Sequence, residues 1–139
     1  RTLLRSIILK KMATTTAKIT ISSSDLTSDT LSITKTFNLT STAGAGVNQT
    51  SGLTRLNGLN SITTIFAAAD FSADEAYLFL NNTDSTKGNQ VTLTLGTQKT
   101  AVLQGGDSVF MAIDPSALAI KLTADQASTT VEYQLFHNG

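Results

Sequence analysis

Apolar residues recur at every second position along much of this 139-residue chain, and this spacing constrains the fold more than any other feature. The clearest example is the segment VTLTL, in which Val91, Leu93 and Leu95 alternate with threonines. Successive side chains of a β-strand point to opposite faces of a sheet, so a period of two predicts strands with one buried face. The sequence therefore predicts an all-β fold.

The same alternation occurs in other segments, which lie at residues 19–21, 31–39, 109–113, 118–122 and 131–135. Residues 77–80 are apolar at every position, which predicts a central strand covered on both sides. Turn residues separate the strands, as in Gly96-Thr97, Gly105-Gly106-Asp107 and Asp114-Pro115-Ser116. Strands at intervals of roughly 10 residues predict an antiparallel β-sandwich similar to a jelly roll, with residues 44–58 as a long loop.

The composition supports this fold class. Threonine and serine make up 38 of the 139 residues, which favours half-buried strands over helices. An apolar fraction of 40% argues against disorder, and the lack of cysteine excludes disulfides and cysteine nucleophiles. We predict one β-sandwich domain over residues 12–139, preceded by an extended or short helical N-terminal arm at residues 1–11.

This arm is the one segment whose charge and hydrophobicity predict an interface. It carries four basic residues and no acidic one, whereas six basic and ten acidic residues follow from Met12 onward. Its apolar run at residues 7–9 is too short for a signal peptide or a membrane span. Membrane binding is the weaker alternative, because a single short arm attaches weakly. A flexible arm can instead order on a neighbouring subunit. The predicted interface residues are Arg1, Leu3, Leu4, Arg5, Ile7, Ile8, Leu9, Lys10 and Lys11.

The remaining polar residues do not form a recognisable catalytic or metal-binding pattern. His137, the single histidine, lies two residues from the C-terminus and is expected in a solvated tail. Asp70, Asp74 and Glu75 cluster without the spacing of a calcium-binding loop. Gly44-Ala45-Gly46 lacks the third glycine of a dinucleotide-binding motif. We therefore predict that the protein is not an enzyme and holds no metal or cofactor.

Four segments carry a resemblance to a known group of proteins. They are MATTTAKITISSSDLTSD (residues 12–29), NQTSGLTR (48–55), IFAAADFSADEAYLFLNNTDS (65–85) and VEYQLFH (131–137). Together they resemble small β-sandwich virion structural proteins of marine cyanophages. The resemblance covers nearly everything after Met12, has structural rather than catalytic motifs, and does not extend to the arm.

The resemblance implies a virion component present in many copies, assembled in the host cytoplasm. It implies a capsid decoration protein or a tail component, and we expect a decoration protein that binds the major capsid protein or other virion proteins. The arm predicts contact with neighbouring copies of the same chain, in a ring or trimer. Nucleic acid and membranes are not expected partners. The alternative is a tail or tail-fibre component with an adhesin or carbohydrate-binding role. A carbohydrate-binding module usually presents aromatic platforms, and this chain has no tryptophan and two tyrosines.

Overall fold

The computed structural model describes residues 15–25, 31–39, 47–49, 54–70, 76–114 and 116–138. These residues form eleven strands and one short 3-10 helix, Ala68–Asp70. The chain divides into two compact units, Arg1–Val47 and Asn48–Gly139. The strands are β1 (Thr15–Ser23), β2 (Leu31–Leu39), β3 (Val47–Gln49), β4 (Thr54–Leu56), β5 (Thr63–Phe66), β6 (Ala76–Asn82), β7 (Val91–Leu95), β8 (Gln98–Leu103), β9 (Ser108–Ile113), β10 (Ile120–Ala124) and β11 (Val131–Asn138).

The first unit contains an antiparallel hairpin of β1 and β2. The register pairs Thr15 with Leu39 at one end and Ser23 with Leu31 at the other. Because the side chains alternate, the described side chains of one face are all threonine, serine or lysine, and those of the other face are mainly apolar.

The second unit is an antiparallel sandwich of two sheets. One sheet has the order β5-β10-β7-β8, and the other has the order β3-β11-β6-β9, with β4 also paired to β11. The pairs formed by β4 to β11 are nested in the sequence. Strand β4 pairs with β11, β5 with β10, β6 with β9, and β7 with β8. This nested pairing is the topology of a jelly roll. The predicted all-β, jelly-roll-like sandwich is confirmed.

The core lies between the two sheets and is built from the inward positions of their strands. Leu78 and Leu80 of β6 face Leu93 of β7 and Leu122 of β10, and all four are fully buried. At one corner the ring of Phe66 in β5 meets that of Tyr133 in β11 edge-to-face, with centroids 5.6 Å apart. Leu95 packs partly exposed against the core. Five other inward side chains are completely buried, and they are Leu78, Leu80, Leu93, Val131 and Leu135.

The boundaries of several elements differ from the prediction. Residues 44–58, predicted as a loop, include β3 and β4, because three-residue strands are too short for alternation to be recognised. Strand β10 begins at Ile120, and Leu118 lies exposed before it.

The predicted turns are present where glycine is required. Gly96 has a φ of 63° between β7 and β8, a conformation that residues with a Cβ rarely adopt. At Gly105 the chain passes so close to the loop after β6 that a Cβ would overlap the carbonyl oxygen of Thr86. Asp114 closes its turn by accepting hydrogen bonds from the backbone N–H groups of Ser116 and Ala117.

We expect Leu93→Ala to lower the free energy of unfolding by about 2–5 kcal/mol, because Leu93 is completely buried between the sheets and its loss leaves a cavity. Val102→Ala is the matched control, since Val102 of the neighbouring strand is 38% exposed and should change stability by less than about 1 kcal/mol. Urea denaturation measures both. Equal losses would mean that the inward face of the sheet is assigned incorrectly.

Candidate functional site

The predicted interface residues of the arm, residues 1–11, lie outside the described residues, so the interface stays a prediction. Three surfaces of the described residues have the properties of a binding site. They are the apolar face of the β1–β2 hairpin, the outer face of the sheet that contains β6, and the outer edge of β9.

The apolar face of the hairpin leaves large side chains exposed. Ile21 and Ile33 face each other across the two strands and are 51% and 50% exposed. Ile19, opposite Lys35, is 37% exposed. The ammonium of Lys35 lies 5.7 Å from the centre of the Phe37 ring, so a cation–π contact holds the one charge of this face. A two-stranded hairpin is marginally stable by itself, so a face of this kind favours a covering partner.

The outer face of the β6 sheet carries a cluster of aromatic rings. Tyr77 and Phe79 point outward from β6, since Leu78 and Leu80 point into the core. Phe110 of β9 lies opposite Phe79, and Phe136 of β11 lies opposite Tyr77. The rings of Tyr77 and Phe110 stack at 5.6 Å with an interplanar angle of 9°. An outward sheet face is usually polar, so this cluster is a candidate contact surface.

A charged pair borders the same face. Arg55 of β4 donates from Nε to Glu132 Oε1 of β11 at 3.1 Å, with a second, shorter contact from its terminal nitrogen. Asn81 of β6 donates to the other carboxylate oxygen at 3.2 Å. The hydrogen bonds from Arg55 and then Asn81 hold the pKa of Glu132 below its ordinary value. Glu132 is therefore charged at neutral pH, but both of its oxygens already accept hydrogen bonds.

The outer edge of β9 is the third surface. The strand has the sequence SVFMAI, with no charge and no proline. It ends its sheet, and among the described residues no strand pairs with its outer side. Edge strands are normally protected by charges, prolines or bulges, so an edge of this composition favours pairing with another strand.

The polar network at the end of the sandwich has a structural role. The side chain of Asn82 is fully buried and donates to the carbonyl oxygens of Asn89 and Leu103, at 2.9 and 3.1 Å. Asp84 accepts hydrogen bonds from Thr86 N–H at 2.8 Å, and from Asn89 Nδ2 and the Thr129 hydroxyl at 3.0 Å. These hydrogen bonds lower the pKa of Asp84, and the bond from the backbone N–H of Thr86 has the largest effect. The carboxylate is occupied in fixing the loop and is poorly suited to hold a ligand.

Of the other candidate residues, the structure describes His137 and Asp70. His137 lies in β11, and its backbone pairs with that of Ala76 in β6. The prediction that His137 lies in a C-terminal tail is therefore wrong, because the strand continues through this residue. Asp70 ends the 3-10 helix, and Asp74 and Glu75 lie outside the described residues. No group of three or more metal-ligating side chains occurs among the described residues. In the same part of the chain, no helix is long and apolar enough to cross a membrane.

Comparison with known proteins assigns no family: no protein-family model matches the chain, and no curated protein matches its sequence.

Only part of these surfaces can be recognised in the sequence. Residues 77–80 were predicted to form a central strand covered on both sides, and β6 is central, between β11 and β9. Its outward rings are instead part of the aromatic cluster and keep some exposure. The signal for the cluster was the presence of aromatic residues at alternate positions 77 and 79, but their neighbours on β9 and β11 depend on the strand order.

We expect acid to destabilise the protein through Asp84. Because its pKa is lowered in the folded state, its contribution is present above the unfolded pKa of about 3.9 and is lost as the pH falls through the folded pKa. Asp84→Asn should destabilise the fold at neutral pH and flatten the acid dependence, since an amide would direct N–H groups towards the donors of Asn89 and Thr129. The midpoint of unfolding by urea, measured for the parent chain and for Asp84→Asn from about pH 7 to about pH 2, tests this pH dependence.

The control for this prediction is Asp125→Asn. Asp125 accepts one hydrogen bond, from the backbone N–H of Gln90, and an asparagine oxygen can accept the same bond. Its stability at neutral pH should stay close to that of the parent chain. If Asp84→Asn behaves like this control, the Asp84 network contributes little to the fold.

Proposed function

We propose that this protein is a bacteriophage virion structural protein, and specifically a capsid decoration protein that binds the shell and neighbouring copies of itself. The proposal assigns it no enzymatic activity. The observation that carries it is the hairpin of β1 and β2, which presents exposed isoleucines on one face and only polar side chains on the other.

The energetics of the hairpin favour a role in attachment. Fully burying an aliphatic side chain stabilises by about 1.5–3 kcal/mol, more than an exposed ion pair contributes. Ile19, Ile21 and Ile33 are between one third and half exposed, so docking on another protein would recover part of this energy. The polar face opposite gives the hairpin a single side on which to dock.

The jelly roll of β4 to β11 supports the same function. This topology recurs in viral capsid and lectin domains, although a fold by itself does not determine function. Its inward positions are filled by a core of aliphatic side chains, so its outer faces, edges and loops are the surfaces that remain for binding.

A second candidate function is a tail or tail-fibre component with an adhesin or carbohydrate-binding role. The aromatic cluster of Tyr77, Phe79, Phe110 and Phe136 favours it, because sugar rings stack on aromatic faces and polar groups such as Asn81 and Gln134 lie in the same sheet face. Glycan binding that Tyr77→Ala abolishes would favour this candidate over decoration of the capsid.

We expect Ile21→Lys to prevent incorporation into virions while the chain stays folded. Ile21 is about half exposed on the apolar face, so the lysine would disrupt docking rather than a core. Thr20→Lys is the matched control: it adds the same charge one residue away, on the polar face. Incorporation is measured by mass spectrometry of virions assembled with each variant. Equal incorporation of both variants would exclude the hairpin face as the attachment surface.

The virion itself provides the direct test. Mass spectrometry of purified virions, separated into heads and tails, should find this chain in the heads. Deletion of residues 1–11 should leave the sandwich folded and abolish incorporation, because the arm supplies apolar burial and basic charge. The chain in the tail fraction would support the second candidate, and its absence from virions would overturn both.

A further inference from the structure

We propose that residues 1–11 of one copy add as a strand to the outer edge of β9 in a neighbouring copy. This inference rests on the proposed function, since it names the surface by which copies bind each other. The edge and the arm match in three properties: a strand edge with which no other described strand pairs, apolar side chains on both faces, and opposite charge.

The edge of β9 is apolar on both of its faces. Val109, Met111 and Ile113 point inward and pack, partly exposed, against the core at the open side of the sandwich. Phe110 points outward beside Tyr77. An additional strand at this edge would pair its backbone with β9 and cover side chains on both faces of the sheet.

The arm has the composition that such a strand needs. As a strand, residues 1–11 would place Leu3, Ile7 and Leu9 on one face and Leu4 and Ile8 on the other. A strand that is apolar on both faces is typical of a position covered from both sides, and it is unusual for a solvated segment.

The charges select the arm over other strands. Exposed Asp107 and Asp114 stand on either side of β9, and each uses one carboxylate oxygen in a local turn. The arm carries basic residues at 1, 5, 10 and 11, so positive charge falls near both aspartates in either strand direction. Symmetric antiparallel pairing of β9 with its own copy would instead place Asp107 opposite the second copy's Asp114, and this repulsion disfavours it.

The resulting contact is heterologous, because one copy gives its arm and the next gives its edge. Repetition of such a contact closes into a ring when the rotation between copies permits it. Three residues separate Lys11 from the start of β1, so the arm is tied closely to the hairpin unit. One copy would thus use its arm to join a neighbour and its hairpin to dock on the shell.

Ala112→Lys in the full chain tests the edge. Ala112 of β9 is exposed and lies opposite Tyr77 of β6, so a long side chain fits at position 112 without disturbing the core. A lysine at this position should repel the basic arm and weaken self-association by about tenfold or more. Ala112→Glu is the matched control, with a side chain of similar length and the opposite charge, and should associate at least as well as the parent chain. Sedimentation velocity measures the association of all three.

A mixing experiment tests whether the arm comes from a neighbouring copy. Ile7→Lys places a charge on the arm and leaves β9 unchanged, whereas Ala112→Lys changes β9 and leaves the arm unchanged. At a concentration at which the parent chain assembles and each variant alone is monomeric, an equimolar mixture should form a one-to-one complex by one intact arm on one intact edge. Four outcomes would each overturn the proposal. The mixture could remain monomeric, or the parent chain itself could be monomeric. Alternatively, Ala112→Lys could assemble normally, or Ala112→Glu could lose assembly as well.

The outcome is separable from that of the proposed function. If the variants behave as expected but virions lack the protein, the strand addition stands and the virion role fails. If the protein is present in virions while Ala112→Lys assembles normally, the virion role stands and β9 is not the docking edge.

Discussion

The pairing of β11 with β6 is the contact on which the rest of the jelly roll depends. It runs for seven residue pairs, from Val131 with Asn82 to His137 with Ala76. Strand β11 therefore lies inside its sheet, with β6 on one side and both β3 and β4 on the other. The sheet cannot be completed until the C-terminal residues are in place. Since most pairings join distant parts of the chain, folding should belong to the slow, millisecond-to-second range of β-sandwiches.

Once this sheet is formed, the core takes up nearly all inward positions and leaves binding to the surface. The aliphatic side chains of β6, β7, β10 and β11 fill the space between the sheets. Polar groups at the loop end are equally occupied, because Asn82 and Asp84 direct their hydrogen bonds to the chain itself. The outer aromatic face, the β9 edge and the hairpin are left to make contacts, and such surfaces suit assembly better than chemistry.

The two units divide the proposed task between them. The β1–β2 hairpin is too small to bury its own apolar face, so its stability and the attachment proposed for it would be coupled. The jelly roll is stable through its core and can present an edge at β9 without losing its fold.

The sequence by itself determined the fold class, because the alternation of residues such as Val91, Leu93 and Leu95 specifies strands and their buried faces. It also specified the tight turn at Gly96, since a positive φ favours glycine. It could not specify which strands are neighbours. That order decides that Phe110 meets Tyr77, that β9 ends its sheet among the described strands, and that β11 lies inside the sheet. The alternation is a local property with a period of two residues. Strand order depends on the pairing of segments up to about 80 residues apart, whose balance of burial and loop entropy is settled only when the whole chain folds.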